Sequence, residues 1–323
     1  MIYRPSDLRN PAPDRYHSHR MMNRRHVLEL SLLSGTSVLL GWKLLAAPVT
    51  HGELAAYIRQ MEIIRPLFTA KGAPQPDDWL AAHKESGQTF AQYRASDPNR
   101  PTKERNKIYL QPIGDGGEER NRVTALLREF MQLLFGLEVV MLPALSLDTF
   151  PAAAQRINGF TNQRQLLSTH ILNGVLKPKR PADAVAVLAI THEDLWPGKG
   201  WNFVFGQASL GDRVGVWSTA RMGDPVKEAT LFLRRVLQVA VHETGHMFGI
   251  KHCTAYECCM NGANHQGESD RAPLVFCAEC DAKLWWACQL KPGPRARDLT
   301  AFAKKHDLKA DATQWQHIAE ALQ

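Results

Sequence analysis

The sequence predicts an α/β (α+β) chain: a mixed, twisted sheet with helices packed on it, one buried helix that carries the chemistry, and a smaller C-terminal helical subdomain stapled through cysteines. Three observations carry that prediction. Between residues 107 and 218 apolar strand patterns alternate with helical ones, the signature of a mixed or parallel sheet covered by helices. Ala184-Val185-Ala186-Val187-Leu188-Ala189-Ile190 is an unbroken apolar run, the pattern of a strand buried on both faces. The stretch from Val226 to Val241 is apolar nearly all round, as a buried helix is, and all six cysteines follow it between 253 and 288.

At 323 residues the chain has material for one large domain or two small ones, with an ordinary globular composition. Its formal net charge is +7, but residues 1–50 hold seven Lys/Arg against three Asp/Glu, which leaves only +3 for the rest. The body is nearly balanced, so no nucleic-acid partner is indicated.

Taken in order, residues 1–50 read as a disordered extension followed by an export leader. Residues 1–20 are rich in Arg, Pro and His and lack apolar periodicity. Arg24-Arg25 then leads into a mildly apolar stretch from Val27 to Trp42 and the small residues before Pro48, the layout of a twin-arginine-type signal peptide. Glu29 and Lys43 within it argue against a permanent membrane span. The alternatives are an N-terminal helix or a true start at Met21 or Met22. Export to the periplasm is expected, with cytoplasmic residence as the alternative.

Residues 51–106 form an N-terminal helix and an extended lead-in. Leu54, Ile58, Met61 and Leu67 give a helix over 53–68, and four prolines between 71 and 107 make the following segment a surface wrap. Residues 107–252 form the larger, sheet-bearing subdomain. Strands are expected at 108–114, 137–142, 184–190, 201–210 and 214–218. Helices are expected at 123–134, closed by Gly136, and at 163–175, opened by Thr161 or Asn162 and stopped before Pro178. Residues 253–323 form the C-terminal subdomain. A helix continues through Lys283–Cys288, and Trp315, Ile318 and Leu322 mark a last helix after a break at Pro292–Pro294.

The chemistry lies in His242-Glu243-Thr244-Gly245-His246-Met247-Phe248-Gly249-Ile250-Lys251-His252. Histidines four apart share a helix face, so His242 and His246 can meet one zinc ion. Gly249 can stop the helix in the left-handed conformation and let the chain return His252 as a third ligand. Three neutral nitrogens leave a tetrahedral position open for water, as in a catalytic site. Glu243, one residue round, is the candidate general base. A buried amphipathic helix with incidental histidines is the bland alternative, and the added G-x-x-H at fixed spacing argues against it. Cys253, Cys258, Cys277 and Cys280 supply four thiolates, enough for a second, structural zinc. Disulfides in an exported chain are the alternative for that set. Cys259 and Cys288 read as small buried thiols.

H-E-x-x-H-x-x-G-x-x-H with Met260 after it is the metzincin signature. The immediate Cys253-x4-Cys258-x-Met260 and Cys277-x-x-Cys280 resemble the archaemetzincin branch of those zinc metallopeptidases. Trp201-Asn202-Phe203-Val204-Phe205-Gly206-Gln207-Ala208-Ser209-Leu210 and Gln111-Pro112-Ile113-Gly114 are similar to its longer animal-type members. The resemblance runs over 88–286. It implies a metzincin-like fold with an active-site helix, and two zinc ions per chain: a catalytic one on His242, His246 and His252, a structural one on Cys253, Cys258, Cys277 and Cys280. Glu243 would be general base and acid, and Met260 a hydrophobic floor under the metal. An edge strand, Gln207–Leu210 or Val214–Ser218, would pair with a peptide or small protein substrate.

His192 and His265 are expected as surface or hydrogen-bonded residues, and Asp183, Glu193 and Asp194 as solvated acids or histidine-orienting carboxylates. The function expected is a zinc metallopeptidase of restricted range, with aminopeptidase-like action as one form. The rival is a two-zinc binding protein with little turnover, and retention of Glu243 argues against it. No feature sets an oligomeric state.

Overall fold

The computed structural model describes residues 48–209 and 211–323; the extension, the leader up to Ala47, and Leu210 lie outside the described residues. Thr50 opens the first helix, α1 (His51–Ile64), in a reciprocal capping box with Glu53. Its buried stripe is Tyr57, Met61 and Ile64. Ile58, expected inside, is 39% exposed, because the stripe is centred on Tyr57, whose hydroxyl donates to the Leu290 carbonyl. A 3₁₀ turn (Arg65–Leu67) follows, then α2 (Trp79–Ala82) and α3 (Phe90–Ala95), which is boxed by Thr89 and Gln92. The segment expected as a surface wrap is instead a docked strap, with Trp79, Phe90 and Tyr93 all buried.

The main sheet begins with β1 (Lys107–Ile113), crosses through α4 (Gly117–Phe135), which ends on left-handed Gly136, and returns as β2 (Glu138–Met141). The expected helix over 163–175 is corrected. Gln155–Ile157 (β3) and Arg164–Leu167 (β4) are strands, and helix runs from α5 (Ser168–His170) through a π-turn (Ile171–Leu176) into α6 (Lys177–Lys179). Gln165 decides the difference. Its buried amide donates to Asp194 Oδ2 at 2.7 Å and to the Asn202 carbonyl at 2.9 Å, fixing β4 as a strand. Pro178 stands in the first turn of α6, where a missing N–H is tolerated, so the helical path continues past it.

β5 (Ala184–Thr191) is buried throughout, and β6 (Asp194–Trp196), β7 (Gly206–Ser209) and β8 (Val214–Ser218) complete the strands. The five-stranded sheet has the order β2-β1-β5-β8-β7, parallel except for β7; the smaller sheet is β3-β4-β6. Period-two alternation divides β5 between two cores: Ala186, Leu188 and Ile190 face one side, Val187 and Ala189 the other.

The helix that carries the chemistry, α7 (Ala229–Met247), is buried along nearly its whole second half. Val226 lies before it and is 70% exposed, so the buried helix starts later than the apolar run suggests. Below it come α8 (Gln266–Arg271), α9 (Ala278–Cys288), α10 (Pro292–Lys305) and α11 (Lys309–Ala321). Pro292 starts α10 instead of breaking the chain there, as its fixed φ suits a first turn. Trp315 and Ile318 are buried on the domain as expected. No helix among the described residues is long and apolar enough to cross a membrane.

Candidate active site

α7 turns His242 and His246 to one side, and Gly249, at φ +83°, reverses the chain so that His252 joins them. One nitrogen from each lies within 4.8 Å of the others. Every Nδ1 faces an acceptor: the Cys259 carbonyl at 2.8 Å for His242, the Ile250 carbonyl at 2.7 Å for His246, and the Glu85 carboxylate at 2.9 and 3.0 Å for His252. Each Nδ1 is therefore the protonated nitrogen, and the Nε2 lone pairs point inward. Those of His242 and His246 are 2.9 Å apart, a repulsive pair unless a cation lies between them. Zn–N bonds of about 2.0–2.1 Å in tetrahedral geometry set a ligand separation of about 3.3 Å, so the donors fit with a small adjustment. Burial pushes the His246 imidazole down to about 3 and that of His242 well below its ordinary value, which keeps both neutral, as metal ligands must be.

Glu243 is 3% exposed and bears on Gly206 of β7, where a Cβ would sit 2.7 Å from its Oε1. Only glycine lets the edge strand pass this carboxylate so closely. Burial pushes the carboxyl up to about 8, and a divalent cation on the histidines would pull it back towards the ionised form. The edge strand is also decided: β7 has one neighbour, whereas Val214–Ser218 lies between β5 and β7. Met260 is fully buried, with its sulfur 2.7 Å from where a Cβ on Gly245 would be. It packs on α7 between the two histidines.

The four thiols of Cys253, Cys258, Cys277 and Cys280 also gather within 4.8 Å, all buried and none in a disulfide. The Sγ atoms of Cys253 and Cys277 are 3.7 Å apart, against about 3.8 Å for two sulfurs on a tetrahedral zinc with Zn–S near 2.3 Å. The main-chain N–H groups of Met260 and Cys277 donate to Cys258 Sγ, and Lys283, 1% exposed, points its ammonium at Cys280 Sγ. Hydrogen bonds and a cation aimed at sulfur suit thiolates. Cys259 and Cys288 are free and buried, as expected of packing thiols.

The strap holds this assembly from outside. Gln88 donates to the Gly249 carbonyl and accepts from the Lys251 N–H, both at 3.3 Å, while Lys283 donates to the Gln88 carbonyl. Tyr93 donates to the Phe248 carbonyl and Asn99 to that of Met247. The Trp79 ring lies edge-on 5.2 Å from the His252 ring. Residues missed by sequence reasoning are thus Glu85, Gln88, Lys283 and the close-approach glycines Gly206 and Gly245. The acids proposed to orient histidines serve elsewhere. Asp194 forms a two-pronged pair with Arg221, and Asp183 accepts from Tyr109. His192 bonds Thr219 and His265 caps α8.

Residues 178–285 match the family model described as Peptidase family M54. Archaemetzincin-2 of Pongo abelii is 36% identical over 283 residues, 76% of this chain and 77% of that protein. The chain belongs to the archaemetzincin family. Archaemetzincin of Archaeoglobus fulgidus is 35% identical over 180 residues, 55% of this chain and 98% of its own. The crystal structure of archaemetzincin from Methanopyrus kandleri, 29% identical, covers 59% of this chain and 99% of that one at a TM-score of 0.48. This archaemetzincin is a zinc metallopeptidase, a hydrolase with peptide substrates.

Proposed function

We propose that His242, His246 and His252 hold a catalytic zinc and that Cys253, Cys258, Cys277 and Cys280 hold a structural one, two ions per chain. A zinc held by these histidines would supply Lewis-acid chemistry, acidifying a water and polarising the scissile carbonyl. Glu243 accepts the proton of the attacking water on its carboxylate and returns it to the leaving amine, one group serving as base and then acid. β7 aligns the substrate main chain by strand addition, and Gly206 brings that strand against Glu243. The Nδ1 acceptors hold the imidazoles neutral and fixed. Met260 and the four-cysteine module support the loop from below.

The observation that carries this reading is the inward convergence of three Nδ1-anchored histidines beside a buried glutamate that packs against a free sheet edge. The same reading divides the chain at 252/253, substrate range is narrow, and the leader exports the folded protein. Twin-arginine transport would let the thiols take zinc before meeting an oxidising compartment.

Metal analysis combined with product mass spectrometry of a peptide library tests it. Two zinc per chain, cleavage abolished by chelator, and cleavage lost but zinc retained in Glu243→Gln are expected. The products also report whether cuts fall internally or at the amino end. Two zinc with no cleavage above the Glu243→Gln background would identify a two-zinc binding protein instead.

A further inference from the structure

A groove of about 790 Å³ opens beside the loop that carries His252. The strap forms one wall, the turn beyond β7 another, and Gly249 and Lys251 the floor between them. Arg100, Arg105, Arg213 and Lys251 line it against a single carboxylate, Asp97. Among the described residues none of the four cations is ion-paired. Of the carboxylates near it, Asp183 is paired by Lys107 and Asp212 by Lys177, while Glu104 accepts from Thr102 beside Arg105. Two of the cations are held in place: Arg213 donates to the Ala184 carbonyl at 2.8 Å, and Arg100 lies 4.1 Å over the Trp286 ring. Burial and the like charges of Arg180 and Arg105 push the Arg213 guanidinium down from its ordinary value. Like charges on a concave wall raise the local concentration of anions.

The groove lies past the end of β7, where a peptide laid along that edge would leave it. β7 is a free edge, Gly206 at its start bears on Glu243, and Gly211 of the groove lies in the turn past its end at Ser209, three strand steps or roughly 10 Å along at about 3.3 Å per residue. The geometry points to this groove as a subsite for acidic side chains of the peptide substrate, beyond the residues that pair with β7. No aromatic face lines it, which disfavours single-stranded nucleic acid, whose bases need stacking platforms. The inference rests on the peptidase reading above.

The test uses the full zinc-loaded chain as Glu243→Gln, so that peptides bind uncut, with a labelled extended peptide bearing paired glutamates near one end or the other and its paired-glutamine counterpart. The better-placed glutamate peptide binds about tenfold more tightly at low salt, and the preference shrinks as salt rises. Arg105→Glu/Lys251→Glu abolishes the preference, and Arg100→Gln reduces it; zinc content and circular dichroism check that each variant folds. Equal affinity for the two peptides, a preference that survives in both variants, or displacement of the acidic peptide by a single-stranded RNA oligonucleotide overturns the assignment. Cleavage by the native chain separates the two claims. Both peptides cut without any binding preference defeats the groove alone, whereas a binding preference with neither peptide cut defeats the peptidase reading alone.

Discussion

At His252 the ring orientation depends on a carboxylate 167 residues upstream. Glu85 accepts from Nδ1 with both oxygens, and although burial pushes its carboxyl up, the His252 ring holds it below the usual range. Carboxylates behind metal-ligating histidines typically contribute about 10–100-fold in metal affinity. Glu85→Ala is therefore expected to weaken zinc binding at the histidine site by about that factor in chelator competition, with Glu85→Gln, which keeps an acceptor, weakening it less. Unchanged affinity in both variants would remove Glu85 from the site. Gly245 offers a second residue-scale test. A methyl there meets the Met260 sulfur at 2.7 Å, and overpacking of this kind costs about 1–3 kcal/mol. Gly245→Ala should lower Tm accordingly, and Gly245→Ala/Met260→Leu should recover part of the loss by removing the sulfur.

At the scale of elements, the strap and the cysteine module grip the same loop from opposite sides. Cys253 follows His252 directly, while Lys283 in α9 reaches the Gln88 carbonyl, and Gln88 in turn holds Gly249 and Lys251. Loosening the module should therefore be felt at the histidines. Cys277→Ser is expected to lower the zinc affinity of the histidine site, read by chelator competition, although residue 277 supplies it no ligand atom; unaltered affinity would show that the two sites act independently. The strap was the element least legible in the sequence. Its prolines and scarcity of apolar runs look like solvated coil, and the three aromatics that seat it, Trp79, Phe90 and Tyr93, the last against Trp286 of α9, carry no periodicity that points to burial. By contrast β5 was readable to within one residue and α4 over its apolar part, because period and burial agree there; the polar first turns of α4, from Gly117, were missed for want of an apolar stripe.

For the whole molecule, acid should weaken the fold through His192. Its ring lies over Gly116, bonds Thr219, and is pushed down to about 4 by burial and by Arg120, with Asp115 opposing. The unfolded chain titrates near 6.5, so between about 6.5 and 4 it binds more protons than the folded chain, and stability falls as pH falls through that window. Asp270, held low by Arg235, loses stability in the same direction further down. Tm measured between neutral pH and pH 5 should decline less steeply in His192→Gln than in the native chain; parallel declines would exclude His192. The clustering of His242, His246 and His252 was legible because short covalent spacing and the turn at Gly249 bring them together. Glu85, Gln88 and the basic groove were not, since each depends on segments that meet only in three dimensions. That separation also governs time. At about 5–20 residues per second of synthesis, Glu85 waits roughly 10–30 s for His252 to be made, and Gln88 waits longer for Lys283. The part of the chain that is made early is seated late, so the catalytic loop acquires its outer brace only when α9 has left the ribosome.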